Sequence, residues 1–136
     1  MESSDGPGEM SASQILAQLR RRDPRYAEEA YLFVLASLQS CLERLEEPRH
    51  VSGSELADSV RDLALERFGP MARTVLEHWG VHSTGDLGEI VFLLVECGIL
   101  IRQDTDSRED FEGLYSFEEA FETSYPWGVV EGERFV

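Results

Sequence analysis

Apolar residues recur every three or four positions over most of the chain, and the spacing breaks at Gly, Pro and Ser/Thr/Asp clusters. Ile15, Leu16 and Leu19 predict a short first helix that ends in Arg20-Arg21-Arg22. Asp23-Pro24 then reads as an N-cap followed by proline at the first helical position. From there Tyr31, Val34, Leu35, Leu38, Cys41, Leu42 and Leu45 keep the helical spacing until Pro48, which predicts the longest amphipathic helix. Ser52 and Glu55 have the spacing of a capping box, in which the hydroxyl accepts from the Glu55 amide and the carboxylate reaches back. The helix they open would present Leu56, Val60, Leu63, Ala64 and Phe68 to a core and stop at Gly69-Pro70. The next carries Val75, Leu76 and Trp79 inward as far as Gly80, a residue suited to a left-handed C-cap. Ser83-Thr84-Gly85-Asp86 caps a further helix from Leu87 to Cys97. That helix is apolar nearly all round, so it is predicted to be central and buried, and Gly98 ends it.

The period then changes. Ile99-Leu100-Ile101, a turn at Asp104-Thr105-Asp106-Ser107, and Phe111, Leu114, Tyr115 and Phe117 predict a two-stranded hairpin. Helix, helix, buried helix and ribbon is the order of a winged helix. Ser116-Phe117-Glu118-Glu119 offers a competing capping box, from which Phe117, Ala120 and Phe121 would begin a last short helix. The expected fold is mainly α (α+β), a single domain of about five to six helices with a winged-helix-like centre and a short β-hairpin. Residues 1–10 are Ser/Gly/Glu-rich and expected to be disordered, residues 11–124 form the helical domain, and residues 125–136 are an extended tail.

Composition agrees with one globular unit: 136 residues, 42% apolar, are enough to bury a core without disulfides or a metal. The charge narrows the partner. Net charge is −15, and residues 103–136 hold ten acids against two Arg, or −8 of it. Such a field repels a polyanion, and between Ser83 and Ile101 the only charged residues are Asp86, Glu89 and Glu96. A winged-helix DNA-binding regulator is therefore opposed by charge, and no nucleic-acid partner is expected. No apolar run approaches the roughly 20 residues that span a bilayer. MESSDGPGEM lacks the basic and apolar regions of a signal peptide, so no membrane partner is expected. Cys41 and Cys97 stand apart with no CxxC and read as reduced core thiols of a cytoplasmic protein. All twelve basic residues are Arg, and Lys and Asn are both absent; a GC-rich genome accounts for this.

The block HVSGSELADSVRDLALERFGPMARTVLEHWGVHSTGDLGEIVFLLVECGIL, with DSREDF after it, resembles an uncharacterised family of small bacterial proteins from the Planctomycetes–Verrucomicrobia group and its relatives. The resemblance covers most of residues 25–122, and FGPMARTVLEHWG and GEIVF are its most specific wording. It implies a bacterial, cytoplasmic single domain. The family has no assigned function, so it implies no site residue.

Chemistry-bearing residues are sparse. His78 and His82 are four apart, as zinc-binding pairs on a helix are, and Cys97 would complete a site with them, or Glu77 in its place. Gly80 lies between them and should break the helix, so ordinary surface or capping histidines are the preferred reading and neither a metal nor a cofactor is expected. The same three residues would serve a small metal-dependent or thiol enzyme. Cys97, however, falls near a helix C-terminus, where the dipole disfavours a thiolate. Asp104, Asp106, Arg108, Asp110 and Glu112 alternate like a calcium loop, but Arg108 holds a ligand position and Glu109 replaces the turn glycine. Aromatic residues beside acids mark contact sites, which points to Phe111, Tyr115, Tyr125 and Trp127 as partner-binding residues; a tail folded back to cover the core is equally consistent. The preferred function is a non-enzymatic adaptor or regulatory protein that binds a protein partner through its acidic, aromatic C-terminal region.

Overall fold

The computed structural model describes residues 11–47, 49–100 and 108–123. Within them the chain forms five α-helices: α1 (Ala12–Arg22), α2 (Glu28–Glu43), α3 (Gly53–Phe68), α4 (Ala72–His78) and α5 (Thr84–Glu96). A 3₁₀ turn at Gly69–Met71 joins α3 to α4, a second occupies Arg108–Phe111, and a π-helical turn spans Glu119–Thr123. None of the described helices is long and apolar enough to cross a membrane.

Local capping sets three of the helix starts. Ser52 and Glu55 make both halves of the predicted box, and Ser11 with Gln14 makes a second one at α1. At α5 the Ser83 hydroxyl accepts from the Asp86 amide, while the Asp86 carboxylate reaches beyond the cap to the His82 amide at 2.8 Å. The start of α2 departs from the prediction at Asp23-Pro24. Asp23 Oδ1 accepts from the Arg25 amide at 3.1 Å, its carboxylate also holds the Arg25 guanidinium, and the segment becomes a turn. Tyr26 is pulled inward to donate its hydroxyl to Asp86 at 2.6 Å, and the Ala27 amide donates to the Trp79 carbonyl at 3.0 Å. These tertiary bonds outweigh the local cap, so the helix begins at Glu28. It stops at Glu43, ahead of Pro48, where Arg44 and Leu45 donate to Cys41 and Leu42 in 3₁₀ fashion at 3.2 Å each.

α2 packs chiefly on α3. Two buried serines let the backbones approach: the Ser59 hydroxyl donates to the Ser37 carbonyl at 2.8 Å, and that of Ser37 to the Phe33 carbonyl at 2.9 Å. α5 lies against α1, α2, α3 and the 3₁₀ turn Arg108–Phe111, with Leu87, Ile90 and Leu94 fully buried. The expectation of all-round burial holds only for that face; Phe92 is exposed. Gly80 takes φ +95°, and an added Cβ would meet the Arg25 carbonyl oxygen at 2.0 Å, so the turn before α2 sits directly on it.

The hairpin is not formed among the described residues, where there is no strand. Ile99 and Leu100 wrap back on the end of α5, both amides donating to the Leu94 carbonyl at 2.9 and 3.3 Å; Gly98 at φ +81° makes that reversal. Ile101, the third residue of the predicted strand, lies outside the described residues. On the other side the segment bonds to helices instead of to a strand. The Leu114 amide donates to the buried Thr84 hydroxyl at 3.2 Å, and the Tyr115 hydroxyl donates to the Ala57 carbonyl at 2.7 Å. The competing box is the one seen in part, with the Glu119 amide donating to Ser116 Oγ at 3.1 Å. Phe117, Ala120 and Phe121 then turn into the core, where Phe117 and Phe121 meet edge to face at 5.1 Å.

Candidate functional site

An apolar groove of about 380 Å³ runs between the C-terminal half of α2, the start of α3 and the outer face of α5. Leu38 and Leu42 line it from α2, Leu56 from α3 and Val91 and Val95 from α5, and Ile99, Leu100 and Phe111 close it. Arg49, His50 and Ser52 stand along its polar edge. Each wall follows from the sequence. Leu38/Leu42 and Val91/Val95 are four apart and so share a helix face. The reversal at Gly98 brings Ile99 and Leu100 round, and Gly53 gives the Phe111 ring room: a Cβ there would stand 3.2 Å from it. Leu42 remains 40% exposed, an aliphatic side chain left without full cover.

An ion pair lies along the polar edge. The Arg49 guanidinium donates twice to the Glu55 carboxylate, at 3.0 and 2.8 Å. That contact, followed by the Ser52 amide, holds the Glu55 carboxyl at about 2, well below the usual range. The walls carry no nucleophile. What they offer is burial of apolar surface, which is the chemistry of recognition.

The residues singled out for metal or thiol chemistry are not brought together. His78 is the last residue of α4 and His82 lies in the loop before α5, both exposed, with Gly80 breaking the helix between them. Cys97 caps the opposite end of α5, and 13 residues rising about 1.5 Å each put roughly 20 Å between it and His82. Among the described residues no three His, Cys, Asp or Glu side chains gather as a metal-ligand set. Cys41 is buried and burial raises its thiol pKa, and Cys97 is half-buried and packs against the core.

Of the aromatic residues expected to contact a partner, Phe111 is buried and serves as a groove wall. Tyr115 is half-buried, its hydroxyl committed to Ala57, and burial raises its pKa. The C-terminal segment therefore uses both rings for its own packing. Tyr125 and Trp127, like Asp104 and Asp106 of the calcium-like alternation, lie outside the described residues. Glu112 of that alternation sits beside Gly85 in the first turn of α5, where the helix dipole favours a carboxylate. The groove itself had a signal in the sequence: a helix apolar nearly all round has two faces to cover. α5 gives Leu87, Ile90 and Leu94 to the core and Val91 and Val95 to the groove.

Comparison with protein-family models, with curated proteins and with solved structures returned no match for this chain.

Proposed function

We propose that this chain is a protein-binding module, an adaptor or regulatory protein of the cytoplasm rather than an enzyme, and that the groove is its docking site. The observation that supports this reading is the row of aliphatic walls with Leu42 part-exposed at its rim and no nucleophile among them. A contiguous apolar depression of this kind gains free energy when a partner's apolar side chains displace its water. Of the acidic, aromatic C-terminal region, Phe111 lines this site. A photo-crosslinking residue at Leu42 tests this in cells. A protein adduct from Leu42 and none from the more exposed Met71 is expected; equal adducts from both positions, or none, would overturn the assignment.

A winged-helix-like centre needs three helices followed by a ribbon, and no strand forms among the described residues after α3, α4 and α5; duplex binding is the function that topology would imply. Charge stands against it: α5 carries Asp86, Glu89 and Glu96 and no Arg. No retardation of duplex DNA at physiological salt is expected in a mobility-shift titration, and sub-micromolar non-specific binding would restore that reading.

A further inference from the structure

We propose that Cys97 is a site of reversible oxidation by a hydroperoxide, and that the Tyr31 hydroxyl and the Arg22 guanidinium hold the oxygen added to its sulfur. Side chains from α1, α2 and α5 meet there. Cys97 caps the end of α5, its amide bonded to the Leu93 carbonyl at 3.0 Å. Arg22, the last residue of α1, donates to Glu96 Oε1 at 2.7 Å and so ties the two helix ends together. Tyr31 comes to the same junction from the buried face of α2.

The Tyr31 hydroxyl is the observation that points to a ligand. Its side chain is fully buried and its oxygen has no hydrogen-bond partner, a state that proteins rarely keep without use. The groups whose charge bears on it are Asp23, Cys97 and Arg25. Asp23 and Arg25 already bond to each other at 2.7 Å, so the sulfur is the neighbour that can gain an acceptor. A thiol accepts hydrogen bonds weakly, whereas an oxygen carried on that sulfur accepts them well. The added oxygen also meets the Arg22 guanidinium, which Glu96 first and Cys97 after it hold in its charged form. That cation offsets the C-terminal dipole of α5, which by itself disfavours negative charge at this end of the helix.

The other cysteine has no such setting. Cys41 is buried, and its sulfur faces the Glu55 carbonyl at 4.0 Å, an acceptor that repels a negative oxygen. Cys97 is part-exposed, so a molecule the size of hydrogen peroxide reaches it. The sulfur attacks one peroxide oxygen, and the S–O bond forms as the O–O bond breaks. Sulfur gives up two electrons to the peroxide, and the departing hydroxide takes the thiol proton and leaves as water. The product is a sulfenic acid. A small thiol condenses with it to a mixed disulfide and water, and a second thiol releases the reduced cysteine.

Treatment of the full chain with equimolar hydrogen peroxide, with and without dimedone to trap sulfenic acid, tests the site and its donors. Mass spectrometry should place the trap on Cys97 and leave Cys41 unmodified. Without dimedone the chain should gain the mass of one oxygen and lose it again on addition of a small thiol. Tyr31→Phe should keep the fold by circular dichroism, because the hydroxyl has no partner in the reduced protein. Its sulfenic acid should pass to sulfinic acid several-fold faster, as should that of Arg22→Gln, with Arg22→Lys in between. Equal oxidation of both cysteines, or of neither, would overturn the site. A sulfenic acid as long-lived in Tyr31→Phe and Arg22→Gln as in the parent would overturn the two donors.

Discussion

Tyr26 and Tyr31 meet edge to face, with ring centroids 6.2 Å apart, and both are fully buried, yet their hydroxyls have opposite fates. That of Tyr26 donates to Asp86 at 2.6 Å, and burial followed by this bond raises its pKa. That of Tyr31, pushed up to about 12 mainly by burial, has no hydrogen-bond partner. Two conservative substitutions should therefore move stability in different directions. Tyr26→Phe removes a bond to a charged acceptor and should cost about 2 kcal/mol. Tyr31→Phe removes a buried hydroxyl that gains nothing, and should be neutral or stabilise by about 1 kcal/mol. Urea denaturation of the two variants measures both, and equal losses would show that the Tyr31 oxygen is satisfied in solution.

At the scale of the element, the start of α3 carries a pH signature. Glu55 has a folded pKa of about 2 against 4.5 for a free glutamate, through Arg49 first and the Ser52 amide second. A depressed carboxyl stabilises the fold above its unfolded pKa and loses that contribution as pH falls through the folded value. The loss should fall between about pH 4.5 and pH 2 and be absent in Glu55→Gln, as followed by acid titration of helical circular dichroism. Glu55 is solvent-exposed in its pair, so added salt should shrink the effect. This box was legible beforehand because its whole geometry lies within four residues, as it does for the Ser83 cap of α5. The beginning of α2 was not. Asp23-Pro24 has the composition of a helix start, but Asp86 and the Trp79 carbonyl, more than fifty residues away, claim Tyr26 and Ala27. The hairpin misled for the same reason. β-branched and aromatic residues after a glycine suit a strand, and only the Thr84 hydroxyl and the Ala57 carbonyl show that Leu114 and Tyr115 are bonded elsewhere. Chemistry followed the same division: the spacing of His78 and His82 was visible, while the distance from either to Cys97 depended on which end of α5 each occupies.

For the whole molecule, stability and recognition should separate by position. Leu94, fully buried on α5, is expected to cost about 2–5 kcal/mol when truncated to Ala, since its neighbours refill the volume only partly. Leu42→Gln, at a 40% exposed position, should stay within about 0.5 kcal/mol of the parent while weakening the groove. A thermal or urea melt of each decides whether the core has been placed correctly. The attachments of residues 108–121 also impose an order of events. The surfaces that receive them (the Gly53 face, the Ala57 carbonyl and the Thr84 hydroxyl) exist only once α3 and α5 have formed and met. During refolding α1 to α5 can therefore assemble before the Phe111 ring is seated. For that interval the domain has a groove open at one end, and the Phe111 wall is the last to close it.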